Sequence, residues 1–307
     1  MVVTGIGQCS WDFLATVDTY PPADSKQEVL HWEEQGGGPV ATALVALSRL
    51  GVRSTFHGVV GDDELGVRIR RSLDKEGIDC RGLVTRSGAV SQRAFIVVEQ
   101  GSASRTIFWQ RPTGEPLSQG ELSSHYLDGS SFLLLDGLMV EVSLAAAGDA
   151  RQRGIPVMLD AGRLRPGMAD LARSCDYVVA GEQFAFDLGW DGGDGTFAGF
   201  ARSIGAPVVT VTRGTEGSLT WWKEGVLRQP AFPVAAVDTT GAGDVFHGGY
   251  LFGLLQGWEL STVLPFASAM AALKCTRSGG RGGIPDLQRV ADFLQGNGIV
   301  LPRRKDR

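Results

Sequence analysis

Val237-Asp238-Thr239-Thr240-Gly241-Ala242-Gly243-Asp244-Val245-Phe246 is the stretch on which the reading of this chain turns. A polar turn with two glycines runs into small or apolar residues at 242, 245, 246, 249, 250, 253 and 254, the spacing of one helix face. Gly241, Ala242 and Gly243 carry almost no side chain. Their N–H groups can therefore approach a ligand closely, at the positive end of the helix dipole, which suits phosphate. Asp244 stands in the first helical turn beside that anion site. A carboxylate there repels ground-state phosphate, so anion binding alone does not explain it. Accepting the proton of a hydroxyl that attacks phosphorus does. Taken alone, a GxGD pattern also fits an ordinary helix start with an acidic cap.

The ten residues resemble the C-terminal signature of the ribokinase-like (PfkB) carbohydrate kinases. Three more stretches resemble motifs of that family: Gly36-Gly37-Gly38-Pro39-Val40-Ala41-Thr42-Ala43, Val59-Val60-Gly61-Asp62-Asp63-Glu64-Leu65-Gly66, and Val209-Thr210-Val211-Thr212-Arg213-Gly214-Thr215-Glu216-Gly217. The resemblance covers essentially the whole chain. It implies one ribokinase-like domain over residues 1–307, a three-layer α/β/α fold with a mainly parallel central sheet. A small β-sheet lid is expected from about 12–35 and 90–112. By the same resemblance Asp244 is the catalytic base and Gly241, Ala242 and Gly243 form the anion hole. Asp12, Gly36 and Gly37 grip the sugar. Thr212, Gly214 and Gly217 run along the ATP phosphates and ribose, and Cys275 and Gly280 lie in the loop beside adenine. Cys275 also reads as plain core, and Asp12 also reads as a solvated loop residue. The implied cofactors are ATP and Mg²⁺, and the carbonyls of Asp238 and Thr240 match positions that bind a monovalent cation such as K⁺ in some relatives.

Two departures from the family stand out. The Asn usual in the glycine signature is Ala41 here, with Thr42 next to it. The Asn-x-x-Glu motif that organises Mg²⁺ through water is replaced by Gly181-Glu182-Gln183-Phe184, which leaves Glu182 as the substitute candidate. Residues 238–246 and 266–285 look closest to the ketohexokinase and sulfofructose kinase branch. Lys26 matches the latter by its spacing from Gly36, whereas the further Arg of that branch is Leu138 here. Lys26, Arg93, Arg105 and Arg111 fall on or beside expected lid strands. Either they are solvated charges guarding a sheet edge, or they hold an anionic group on the substrate. The expected activity is transfer of the γ-phosphate of ATP to a primary hydroxyl of a furanose-like sugar or ketose, with an anionic one among the candidates. A nucleoside or sugar-phosphate kinase is the alternative within the fold, and a sugar-binding regulator with little catalysis the alternative outside enzymes.

Composition fits a large α/β domain. The chain has 307 residues, 43% hydrophobic and 21% charged, with a net charge of −5. A mild acidic balance argues against binding nucleic acid by bulk charge. Its 43 glycines are about twice the usual share of roughly 7%. Cys9, Cys80, Cys175 and Cys275 are far apart and form no CxxC pair, as suits reduced thiols in a cytoplasm. The start reads as a strand rather than a signal peptide, and no apolar run reaches a membrane span. The expected partners are a small sugar and ATP, with a second copy through the lid. The basic tail at 302–307 reads as a solvated terminus.

Strand and helix alternate along the chain. Residues 1–8 read as a strand, and 39–50 as a helix with Pro at its first position and Gly51 past its end. From residue 132 the segments 132–135, 141–153, 156–160, 171–173, 177–180, 197–204 and 207–212 alternate, as a parallel sheet covered on both faces requires. Ligands in such sheets sit beyond the carboxyl ends of the strands, where Asp136, Asp160, Glu182, Thr212 and Asp238 fall. Extended runs in 26–34 and 93–110 break the rhythm and mark the lid or a plain surface hairpin. A lid would exclude water as a competing acceptor. No P-loop, HExxH or GxSxG motif is present, and Gly5-Ile6-Gly7-Gln8-Cys9-Ser10 lacks the last glycine of a dinucleotide fingerprint.

Overall fold

A computed structural model describes residues 1–302; the rest of the basic tail lies outside the described residues. The strands are Val2–Ile6 (β1), Ser10–Val17 (β2), His31–Gly37 (β3), Arg53–Gly61 (β4), Asp79–Arg86 (β5), Arg93–Glu99 (β6), Arg105–Gln110 (β7), Phe132–Leu135 (β8), Val157–Ala161 (β9), Tyr177–Gly181 (β10), Val208–Thr212 (β11), Ser218–Trp222 (β12) and Gly225–Gln229 (β13). The α-helices are Pro39–Arg49 (α1), Glu64–Lys75 (α2), Val140–Gln152 (α3), Met168–Arg173 (α4), Glu182–Asp187 (α5), Asp194–Ile204 (α6), Ala242–Leu255 (α7), Leu260–Cys275 (α8) and Leu287–Gly296 (α9).

β8 and β9 are wholly buried runs, Phe-Leu-Leu-Leu and Val-Met-Leu-Asp-Ala, because helices cover both faces of the sheet. They belong to a nine-stranded sheet of order β13-β12-β11-β10-β9-β8-β1-β4-β5. All pairings from β11 to β5 are parallel, and β12 and β13 add an antiparallel edge. One face packs on α1, α7 and α8, with Leu44, Phe252 and Phe266 at its centre. The other packs on α3, α4, α5 and α6, with Ala146, Leu171, Phe184 and Phe197. These are the three layers expected.

α1 forms as its sequence dictates. Pro39 opens it, Val40 to Leu47 are all buried, and Gly51 turns the chain at φ +82°. The motif at 59–66 acts locally. Asp63 caps α2 by accepting from the Gly66 N–H at 2.9 Å and also takes the Ser91 hydroxyl at 2.6 Å. Such a cap contributes about 1 kcal/mol.

The second sheet has the order β3-β2-β6-β7. β2 pairs antiparallel with β3 and parallel with β6, and β6 pairs antiparallel with β7. Two expectations change here. β2 belongs to the lid region expected from about 12–35, but it begins at Ser10, only three residues after β1. The strand expected within 26–34 begins only at His31, and Lys26 lies in the irregular segment before it. Asp238 does not follow a strand directly but sits in the irregular stretch between β13 and α7. Among the described residues no helix is long and apolar enough to cross a membrane. All four cysteines are free and buried.

Candidate active site

The turn before α7 leaves backbone donors unspent. Gly241 caps the helix at φ +72°, a conformation that costs a residue with a side chain about 1–2 kcal/mol. A Cβ on Gly241 would also lie 2.9 Å from the backbone of Gly280, so the loop at 279–283 packs directly behind the cap. The Ala242 N–H is spent on Thr239 O at 3.2 Å. Among the described residues the N–H groups of Gly241, Gly243 and Asp244 meet no acceptor. A ring of unspent donors at a helix start fits a phosphate of ATP.

Asp244 is half-buried beside those donors. Burial raises its pKa above the ordinary carboxylate range, the charge of Asp160 raises it further, and His247 and Arg105 pull it back. Asp160, at the end of β9, is buried and raised by burial and then by Asp136. Asp136, just past β8, is pushed up to about 6 by burial although it accepts the N–H groups of Gln8 at 2.7 Å and Leu138 at 3.0 Å. Parallel strands thus deliver acids to one rim, with α7 directed at it.

β2 and β3 position the residues expected to grip the sugar. Asp12 is a buried residue of a lid strand, not a loop residue, and its Oδ1 accepts from Ser10 Oγ at 2.7 Å. Burial raises its pKa; the Ser10 hydroxyl lowers it. Gly37 lies against this carboxylate, and any Cβ there would collide with it. Gly36 lies against the guanidinium of Arg281. Arg281 is itself buried and donates to Gly37 O at 3.1 Å, Thr42 Oγ1 at 3.3 Å and Ser72 Oγ at 3.3 Å. Burial pulls its pKa down to about 10. Ala41 is fully buried, and Thr42 is engaged with Arg281.

Strand register sorts the basic residues. Asp12 pairs with Ala94, which pairs with Trp109, so Asp12 and Arg105 share one face of the lid. Arg93 pairs with Trp11 and Gln110 on the opposite face, where its Nε donates to Gln110 Oε1 at 2.8 Å. The structure therefore does not bring Arg93 to Asp12, and it leaves Lys26 exposed before β3. Arg105 reaches across: its Nη1 donates to Thr239 Oγ1 at 2.7 Å, and Thr239 Oγ1 also donates to Ala103 O at 3.3 Å. The lid turn is closed onto the loop before the anion hole. Near Asp136, burial lowers the Arg165 pKa, Asp136 raises it, and Arg111 and Arg163 lower it further. None of these three arginines has an ion-pair partner among the described residues; Arg111 stacks on Trp109 at 5.1 Å.

The remaining expected residues divide. Thr212 ends β11 and its hydroxyl donates to Ala180 O at 3.2 Å; Gly214 and Gly217 bracket the short turn that follows. Cys275 is buried, and its carbonyl accepts from the N–H groups of Val237 and Asp238. Its position thus docks α8 onto the loop before α7, whereas Gly280 packs against Gly241. Glu182 is paired with Arg213 at 3.5 Å, and Arg213 also holds Asp194 at 2.8 Å and Glu216. Glu182 thus shares one guanidinium with two other carboxylates. No cluster of three or more metal-ligating side chains occurs among the described residues. That donor set fits Mg²⁺ held mainly by phosphates and water. The Asp238 carboxylate accepts from Thr240 N at 2.7 Å and Gly279 N at 2.8 Å. Its carbonyl accepts from the fully buried Lys274 Nζ at 2.7 Å. An ammonium thus already engages one of the two carbonyls matched to K⁺, and its charge opposes a second cation there.

Sequence reasoning missed Arg165, Arg281, Lys274 and His247, and noted Asp160 only for its place at a strand end. A signal existed for His247, which stands one turn after Asp244 on the same helix. Nothing local marked the others.

The chain is similar to known kinases over almost its whole length. The chain is 29% identical over 296 residues to an ATP-dependent ribose-1-phosphate kinase of Halopiger xanaduensis, covering 95% of this chain and 97% of that one. It is 27% identical over 300 residues to the ribokinase of Haemophilus influenzae, covering 95% and 98%. The crystal structure of a ribokinase from Thermotoga maritima superposes with a TM-score of 0.79 at 25% identity, covering 96% and 99%. The model of the pfkB family of carbohydrate kinases matches residues 3–287, nearly the whole length, and the chain belongs to that family.

Proposed function

We propose that this kinase transfers the γ-phosphoryl group of ATP to a primary hydroxyl of a furanose-like sugar or ketose that already carries an anionic group. The observation that carries the reading is the meeting of Asp244 with the unspent N–H groups of Gly241, Gly243 and Asp244 under the lid residue Arg105. Asp244 accepts the hydroxyl proton as that oxygen bonds to the γ-phosphorus and the bond to the ADP oxygen breaks. The N–H groups and Arg105 face the charge that builds on the transferring group. ATP supplies the phosphoryl group, and Mg²⁺ neutralises its oxygens. Asp12 and the backbone at Gly36 and Gly37 hold sugar hydroxyls, and the lid strands keep water out. The whole of residues 1–307 acts as one domain.

Two observations support an anionic substrate. Arg111, Arg163 and Arg165 lie together without acidic partners beyond the buried Asp136. The Halopiger relative is named for a phosphorylated pentose. The test is a panel of neutral sugars and their phosphates, assayed with ATP and Mg²⁺. An anionic sugar should be preferred at least tenfold in kcat/KM, since a charge-assisted hydrogen bond contributes about 1.5–3 kcal/mol. Arg165→Gln should raise KM for that sugar and leave KM for ATP unchanged. Equal turnover of neutral sugars would return the reading to a neutral ketose or furanose.

We further infer that two copies pair through the outer lid face, where Trp32, Phe95 and Phe108 are exposed and Trp32 and Phe95 stand 5.6 Å apart. A Trp32→Glu, Phe95→Glu variant that keeps the wild-type mass by light scattering would refute this. The four free, buried cysteines support a reducing, cytoplasmic setting.

A further inference from the structure

His247 is a buried side chain of α7 whose two ring nitrogens both point at carbonyl oxygens. Nδ1 lies 2.6 Å from Gly243 O and Nε2 lies 3.1 Å from Val179 O on β10. A carbonyl can only accept. A neutral imidazole has one N–H, so one of its nitrogens would present a lone pair to a buried oxygen. The imidazolium alone donates to both. A third group sits close: Asp160 Oδ2 lies 3.4 Å from Nδ1 and has no hydrogen-bond partner among the described residues. Asp244 is on the same helix, three residues back.

We infer that His247 is held as an imidazolium and serves as a positioning residue, one cation set between Asp160 and Asp244 that keeps Asp244 ionised. This rests on the reading of Asp244 as the base. Without that cation two buried carboxylates would confront each other, and one would take up a proton. A protonated Asp244 cannot accept the proton of a substrate hydroxyl. The groups facing His247 are few. Asp160 comes from β9, the Val179 carbonyl from β10, and Gly243 and Asp244 from α7. Beyond them, Asp136 adjoins Asp160, and Arg105 and Asp12 act on Asp244 from the lid. Burial opposes a charge on His247 and on balance pulls its pKa below the ordinary value, while the two carbonyls and Asp244 favour the charge. The geometry favours the charged form, because with Asp160 ionised a neutral ring leaves a buried nitrogen without a donor as partner.

The direct test is nitrogen NMR on the intact, ¹⁵N-labelled enzyme. The chain has four histidines, so the His247 ring is assigned by its absence in His247→Gln. Both ring nitrogens should carry protons at pH 7. A neutral ring at pH 7 would overturn the inference. The kinetic test is the acid limb of kcat. His247→Gln should move it up by about one pH unit or more, with KM for ATP little changed. Adding Asp160→Asn should bring it back, since the second carboxylate is then gone. A merely structural role would lower kcat equally at all pH values, and an unmoved limb would sink the proposal. Full turnover in Asp244→Asn would refute the base assignment, a result distinct from that of the ring nitrogens.

Discussion

Gly241→Ala tests whether the anion hole is built by backbone. Gly241 sits at φ +72°, where an added side chain costs about 1–2 kcal/mol. Its Cβ would also come within 2.9 Å of both Cα and O of Gly280. Neither is the end of a flexible side chain, so the helix start or the loop at 279–283 must move. The left-handed strain alone should lower Tm by roughly 1.5–3 °C for a domain of this size. The catalytic loss should be larger. A shift of about 1 Å in the donors that face the transferring group costs on the order of 10² in rate. Gly243→Ala is the control: it lies inside α7 with nothing within 4 Å of an added Cβ. It should keep or raise stability, by up to about 1 kcal/mol, because Ala is the better helix former. Tm by calorimetry and kcat by coupled assay for both variants decide the matter. Gly241→Ala with the Tm and kcat of the wild type would refute the argument.

Asp244→Asn should lose about 10²–10⁴ in kcat, or roughly 3–5 kcal/mol of barrier, while nucleotide binding by calorimetry stays near wild type. Only the ionised carboxylate accepts a proton, and burial holds its pKa up. Activity is therefore present above that raised value and lost as pH falls through it, so the acid limb of kcat should lie above the ordinary carboxylate range. Because the Lys274 ammonium already engages the Asp238 carbonyl, turnover should be the same in potassium and in tetramethylammonium buffers. Lys274→Met should destabilise the loop before α7, measured as a lower Tm, and stimulation of the wild type by K⁺ would contradict the assignment.

The turn and helix at 237–246 were legible in the sequence because every feature is local. Two glycines, an acid and a 3.6-residue stripe lie within a few turns of one another. The same holds for Pro39 and Gly51 at the ends of α1, and for the buried runs of β8 and β9. Register and packing decided what no local pattern encodes. Arg93 and Arg105 look alike in the sequence, yet the β6–β7 pairing puts them on opposite faces, because a strand turns its side chains with a period of two. Glu182 looks like a free acid until β11 brings Arg213 to it across the sheet. Asp238 looks like a cation ligand until α8 delivers Lys274 to its carbonyl. Asp160 and His247 stand far apart in the chain and meet only because β9, β10 and α7 end at the same rim. Local chemistry thus marked where a phosphate would sit. The charges that tune Asp244 come from separate strands and helices, and only the folded chain sets their distances.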